Sequence, residues 1–216
     1  AICIKGMKDE EIYVLTKIFI DGGDILDLSF IDGVKVDKHS TGGVGDKTTL
    51  IIAPIVASLG IPVIKMSGRG LGFTGGTIDK LESIPGYNTN ISVDQFKENV
   101  KKIGISLIGQ TLNLAPADKK IYALRDTINC TESIPLIASS IMSKKIASGA
   151  NKIVIDVTCG SGAFMKNIDE AKKLADIMTK IGELSNRKVK CEITGMNGRV
   201  GYAVGNILEV KEAVDI

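Results

Sequence analysis

A glycine-rich segment near residue 40 concentrates the residue types that bind an oxyanion and act on it. The segment reads VDKHSTGGVGDKTT over residues 36–49, between a β-branched run that predicts a strand at 34–37 and an apolar run that predicts a helix. Glycines let the backbone approach a ligand, and the first turn of a helix offers unpaired N–H groups and a positive dipole end. Glycines alone would also fit a structural turn. His39, the single histidine of the chain, favours chemistry at a bound phosphate.

A second glycine-rich turn follows the next predicted strand, at 63–66. It reads SGRGLGFTGGT over residues 67–77, with Ser67 and Thr77 at its ends. Its glycines match the dinucleotide pattern GxGxxG, but no acidic residue ends a following strand at the expected distance, which argues against a dinucleotide. Turns that follow successive parallel strands meet at one edge of the sheet, where open α/β sheets bind ligands. We therefore expect the two turns to hold one small oxyanion.

A third group of polar residues falls in a region that predicts two helices, at 118–128 and 133–147. Arg125 belongs to the first helix, and Ser140 and Lys144 lie four residues apart on one face of the second. A solvated helix face is the simpler interpretation, but the surrounding segment is apolar and a lysine buried there requires a partner. Together the three side chains suit the carbonyl oxygens and ring N–H of a heterocycle.

The order of predicted elements indicates an α/β fold with a small α-helical lobe and a larger α/β lobe, whose sheet is mixed and mainly parallel. We assign residues 1–30 and 115–148 to the α-helical lobe, and residues 31–114 and 149–216 to the α/β lobe. The chain begins inside an apolar run and ends within a helical stretch, so we expect it to be truncated at both ends.

Composition narrows the classes of partner. The chain of 216 residues has a net charge of +2 and 4% aromatic residues with no tryptophan, which predicts neither nucleic-acid nor membrane binding. Its four cysteines are far apart in sequence and form no metal-binding spacing, so a reduced, cytoplasmic setting is expected.

Five segments, in this order and spacing, resemble the thymidine and pyrimidine-nucleoside phosphorylase family. They read KHSTGGVGD, SGRGLGFTGGTIDKLESIPG, IYALRD, SIPLIASSIMSKK and VIDVTCGSGAFMK. The resemblance covers the whole chain and implies a protein roughly twice as long, in which an α lobe faces an α/β lobe across a cleft. It implies phosphorolysis of pyrimidine nucleosides to free base and pentose 1-phosphate, with phosphate as co-substrate, no organic cofactor, and a homodimer.

The resemblance also implies a role for individual positions. Phosphate would be held by Lys38, Ser40, Thr49, Ser67 and Thr77. The pyrimidine would be held by His39, Arg125, Ser140 and Lys144, with Leu71, Ile137 and Phe164 lining its pocket. A potassium ion would lie near Gly45, Lys47, Val200, Ala203 and Glu212. Two positions depart from the family pattern: Phe73 replaces a frequent histidine, and Lys47 replaces a threonine, so that its ammonium group could stand in for potassium.

The implied mechanism assigns catalysis to His39, Arg125 and Lys144, because negative charge develops on the departing base. His39 is the candidate proton donor to the base O2. Two alternatives remain at this stage. One is glycosyl transfer of the anthranilate phosphoribosyltransferase type, which would require magnesium; the other is a non-catalytic phosphate-binding fragment. The preference between uridine and thymidine is open.

Overall fold

The computed structural model describes residues 1–70, 75–109, 114–128 and 130–216. Its helices are α1 (Ile2–Lys5), α2 (Asp9–Asp21), α3 (Thr48–Ser58), α4 (Thr77–Glu82), α5 (Val93–Ile103), α6 (Pro116–Thr127), α7 (Ile134–Ala147), α8 (Ile168–Leu184) and α9 (Asn206–Asp215). Its strands are β1 (Val36–Ser40), β2 (Val63–Ser67), β3 (Ile105–Gly109), β4 (Lys152–Cys159) and β5 (Lys188–Gly195).

The five strands form one sheet in the order β3-β2-β1-β4-β5, and all four described pairings are parallel. This confirms the α/β class and the mainly parallel sheet. The chain leaves β1 toward one side through β2 and β3, and returns to its other side with β4 and β5. The direction in which successive strands are added to the sheet therefore reverses beside β1. The carboxyl ends of β1 and β4 flank the crevice in which such sheets bind ligands.

Local sequence accounts for both ends of α5 and for the start of α8. Ser92 caps α5 by accepting a hydrogen bond from the Gln95 backbone, and Gly104 ends the helix in the left-handed conformation. Asn167 caps α8 in the same way through the Glu170 backbone N–H. The predicted strand at 34–37 was displaced, because β1 begins at Val36 and continues through Ser40. His39 therefore lies on the strand and not in the glycine turn.

Helix α7 is the most deeply buried helix of the cleft region, and it links the helical segments to the sheet. Eleven of its residues are buried, and it packs against α2, α6, α8 and β2. The Ser139 hydroxyl donates to the Ile12 carbonyl of α2 at 3.3 Å. The division of the chain into two lobes stays a prediction. No helix within the described ranges is both long and apolar enough to cross a membrane.

Candidate active site

A single cleft is lined by the ends of β1 and β2, by the start of α4, and by one face each of α6 and α7. Most of the predicted site residues line it: His39, Ser40, Thr49, Ser67, Thr77, Arg125, Ile137, Ser140, Lys144 and Phe164. Leu71 and Phe73 lie outside the described residues. Segments more than 100 residues apart in sequence thus meet in the arrangement that the motifs suggested.

The anion half of the cleft is formed by hydroxyl groups and backbone at the ends of β1 and β2. Thr49 and Ser67 are buried, and the Ser40 hydroxyl accepts a hydrogen bond from the Gly42 backbone at 3.1 Å. Lys38 directs its ammonium group to the Thr48 hydroxyl at 2.5 Å, and it lies 3.6 Å from the Asp156 carboxylate on β4. Asp156, which the sequence analysis did not identify, therefore fixes the position of Lys38.

The second half of the cleft centres on Lys144. Its Nζ lies 2.8 Å from Asp118 Oδ2, donates to Ser140 Oγ at 2.9 Å, and sits 4.6 Å from the Tyr122 ring centroid. Burial lowers the pKa of Lys144, and Asp118 opposes that shift by stabilising the ammonium form. Asp118 is the partner that a lysine in an apolar helix requires. The sequence showed the need for a partner without showing which acid would meet it.

The guanidinium group of Arg125 donates mainly to backbone carbonyl groups in and beside the segment that connects α6 and α7. Its Nε donates to the Cys130 carbonyl at 3.1 Å and its Nη2 to the Thr131 carbonyl at 2.7 Å, while Nη1 lies 3.4 Å from the Leu136 carbonyl. Three of its five N–H donors are therefore engaged by backbone. Arg125 both shapes the wall of the cleft and presents charge to it.

His39 is surrounded by cations. Burial is the largest influence that lowers its pKa well below the ordinary value, followed by Lys145, Lys65, Lys144 and Lys38. At neutral pH the imidazole is therefore uncharged. A neutral imidazole retains one N–H donor, so this environment favours hydrogen bonding by His39 over the predicted transfer of a proton from it.

Lys47 occupies the oxygen cage that the family resemblance assigns to potassium. Its Nζ donates to the carbonyls of Val200 and Ala203 at 2.8 and 2.9 Å, and to Glu212 Oε2 at 2.6 Å. Gly45 adjoins the cage, since a Cβ atom there would lie 2.9 Å from the Val200 carbonyl oxygen. Hydrogen bonding from Lys47, reinforced by two backbone N–H groups, lowers the pKa of Glu212 to about 2. The cage and its resident ammonium group leave no place for a potassium ion, so these residues do not fit the metal.

Comparison with known proteins agrees with this geometry. Residues 32–216 match the model of a family described as "Glycosyl transferase family, a/b domain". The chain belongs to this glycosyl transferase family. Among curated relatives it is 59% identical to the pyrimidine-nucleoside phosphorylase of Geobacillus stearothermophilus and 55% identical to that of Bacillus subtilis, each over 215 residues that span all of this chain and 50% of the relative. The resemblance drawn from the five motifs is thereby confirmed, and the chain spans about half the length of the curated relatives it matches.

Solved structures of the same fold are more distant in sequence. Anthranilate phosphoribosyltransferase from Thermus thermophilus superposes with a TM-score of 0.63 at 17% identity, over 83% of this chain and 50% of that one. The enzyme from Saccharomyces cerevisiae gives a TM-score of 0.60 at 18% identity, over 86% of this chain and 47% of that one. These structures support the glycosyl transferase fold alone.

Proposed function

We propose that the protein catalyses the reversible phosphorolysis of pyrimidine nucleosides, releasing the free base and a pentose 1-phosphate. One observation carries the proposal: a single cleft holds an anion cradle from β1 and β2 opposite the cationic pair Arg125 and Lys144 from α6 and α7. The high identity to proteins named pyrimidine-nucleoside phosphorylase supports the choice of substrate.

The reaction follows from the charges in the two halves of the cleft. An oxygen of the hydrogen phosphate dianion attacks the anomeric carbon, the bond from that carbon to the base N1 breaks, and the bonding electrons leave with the base. The proton that the phosphate loses as it becomes an ester passes through solvent to the base anion, which leaves as the neutral free base. Arg125 and Lys144 stabilise the negative charge on the base, and the neutral imidazole of His39 donates a hydrogen bond to O2. Ser40, Thr49, Ser67 and Thr77 orient the phosphate, with Lys38 adding charge beside them. Ile137 and Phe164 line the part of the cleft that would enclose the base.

Release of free base from uridine or thymidine tests the proposal. We expect the purified protein to release base only when inorganic phosphate is added, without any need for magnesium. The ratio of the two rates would define the preferred nucleoside. Release that requires magnesium and a pyrophosphorylated ribose would favour the anthranilate phosphoribosyltransferase type, whereas phosphate binding without release of base would favour a phosphate-binding fragment.

We also propose that the ammonium group of Lys47 replaces potassium, so that activity is independent of that ion. The hydrogen bonds from Lys47 to two carbonyls and a carboxylate support this. Equal rates in potassium and sodium buffers are expected for the wild type. Lys47→Thr, which removes the ammonium group and leaves a hydroxyl, should be slow in sodium and recover in potassium. A wild-type enzyme that required potassium would contradict the proposal.

The homodimer implied by the resemblance and the cytoplasmic location inferred from the cysteines remain predictions. Sedimentation equilibrium of the purified protein would test the first, and fractionation of the source cells would test the second.

A further inference from the structure

The central strands β1 and β2 are joined at a single described register position. Val36 pairs with Val63, whereas β1 pairs with β4 at five positions and β2 pairs with β3 at five positions. The carbonyl groups that a longer ladder would use still require donors, because they are buried in the middle of the sheet. Two lysine side chains supply them: Lys65 Nζ donates to the Lys38 carbonyl, and Lys145 Nζ donates to the Met66 carbonyl at 2.7 Å.

These two ammonium groups share one carboxylate. Asp37 Oδ2 lies 2.8 Å from Lys145 Nζ, and Asp37 Oδ1 lies 3.6 Å from Lys65 Nζ. All three side chains are at most 2% exposed. Because one negative charge faces two buried cations, Lys65, the more distant partner, is incompletely compensated. Burial, followed by repulsion from Lys145, lowers the pKa of Lys65 to about 7.

Lys65 is also part of the anion half of the cleft. It lines the cleft together with Ser40, Thr49 and Ser67, and Ser67 lies two residues further along the same strand, on the same face. Behind it, Lys65 borders an apolar pocket formed with Leu81, Val210 and other residues of α3, α4, β3 and α9. A charge that enters the cradle is therefore weakly screened at Lys65, because this residue is only 2% exposed.

We propose that Lys65 adjusts the charge of the phosphate site, taking up a proton from solvent when a phosphate dianion enters the cradle. The inference rests on the proposed function only in taking phosphate as the anion. The added proton converts the Lys65 amine to an ammonium group, which balances part of the new negative charge. Lys65 is thus a positioning residue, and no covalent bond to the substrate is involved.

Other charged and titratable groups surround Lys65 and influence how its protonation changes when phosphate binds. They are Asp37, Lys38 and His39 on β1, Asp46 in the turn before α3, Lys144 and Lys145 on α7, and Tyr87 at the edge of the apolar pocket. His39 is already neutral and stays a weak base beside these cations. Within this group, burial and the neighbouring ammonium group of Lys145 bring the pKa of Lys65 to about 7.

Calorimetry of inorganic phosphate binding tests the proposal. Titrations of the purified protein in two buffers with different ionisation enthalpies give the number of protons taken up. At about pH 8 phosphate is mainly a dianion and Lys65 is mainly neutral, so Lys65 should contribute an uptake of about 0.9 proton in the wild type, after correction for the small release from the remaining phosphate monoanion. Lys65→Met should take up almost none, and Lys65→Arg, which is always charged, should behave likewise. Lys102→Met, an exposed lysine on α5, is the matched control and should retain the wild-type value.

The outcomes separate this proposal from the proposed function. Phosphate binding with equal proton uptake in the wild type and Lys65→Met would overturn the role of Lys65 alone. Failure of the wild type to bind phosphate would overturn both proposals. If Lys65→Met does not fold, the wild type still decides the matter, provided that the proton released when a phosphate monoanion binds as a dianion is first subtracted at each pH. The remaining uptake at about pH 8 must then disappear at about pH 6, where Lys65 is already charged before phosphate arrives. Uptake that persisted at the lower pH would refute the assignment.

Discussion

Replacement of Asp118 by asparagine should show how far the charged form of Lys144 depends on its buried counterion. Asp118 is 1% exposed and lies 2.8 Å from Lys144 Nζ, and it provides the ion pair of Lys144 within the described ranges. Asparagine preserves the shape of the side chain and removes its charge. The ammonium group of Lys144 would then keep the Ser140 hydroxyl and the Tyr122 ring as neighbours, but it would lose its counterion.

The expected loss of stability follows from the burial of the pair. Removing one partner of a buried ion pair destabilises a protein by roughly 3–5 kcal/mol, because the other charge is left uncompensated. Asparagine can still accept a hydrogen bond from Lys144, so we expect the lower end, about 3 kcal/mol. Loss of Asp118 also lowers the pKa of Lys144 further, since Asp118 is the main influence that opposes burial. The ammonium form should therefore disappear at a lower pH than in the wild type.

Two measurements check this reasoning. Urea unfolding gives the change in stability, and the pH dependence of kcat/KM for phosphorolysis should show its alkaline limb displaced to lower pH in Asp118→Asn. The decrease at neutral pH should stay below the roughly 10²–10³-fold expected when a donor to developing charge is deleted outright. Asp94→Asn, an exposed acid in the first turn of α5, is the control and should change neither quantity appreciably. An alkaline limb that does not move, in a folded Asp118→Asn protein, would show that Asp118 does not control the charge of Lys144.

Two further predictions concern groups whose pKa is lowered by burial among cations. His39 is the single histidine of the chain, so the protons on its ring carbons give one set of NMR signals. We expect these signals not to titrate between about pH 6 and 8, because the pKa of His39 lies well below the ordinary value. A titration midpoint in that range would contradict a neutral imidazole. For Lys65, the unfolded chain binds more protons than the folded protein between pH 7 and 10.5. Wild-type stability relative to Lys65→Met should therefore rise with pH across that window, by at most about 1.4 kcal/mol per pH unit, and a difference that is constant with pH would count against the lowered pKa.

The sequence predicted those features that depend on local pattern or on a contiguous motif. Strand β2 and helix α7 lie within one residue of the predicted segments 63–66 and 133–147, because a short apolar run defines the strand and a proline in the first turn marks the start of the helix. The two glycine turns and the Ser140–Lys144 face were also visible in the sequence, and the structure brings all of them to one cleft. Asp118 was not predicted, since an acid in the first turn of a helix usually indicates a favourable dipole interaction and not a buried ion pair.

The buried cluster of Asp37, Lys65 and Lys145 lay beyond sequence reasoning for a different reason. Each residue appears ordinary in its own segment, and the cluster exists because β1 and β2 separate after one paired position. No periodicity in the sequence records where two neighbouring strands separate. The extension of β1 through His39 is similar, since its pairing with β4 outweighs the local preference of the sequence for a turn.

The neutral state of the His39 imidazole follows from the same strand order. It also links the electrostatics of the two halves of the cleft. The cations that disfavour an imidazolium come from three elements: Lys38 on β1, Lys65 on β2, and Lys144 and Lys145 on α7. Strand order places β1 between β2 and β4, and α7 packs against β2 beside it. A negative charge in the anion cradle, or on the base, would partly neutralise this cationic field. Phosphate and nucleoside, if bound as proposed, would therefore each alter the electrostatic environment of the imidazole that the other one meets. These four lysines belong to opposite sides of the cleft, and all of them influence the charge of the same histidine. The effects of their substitution on activity should therefore not be additive.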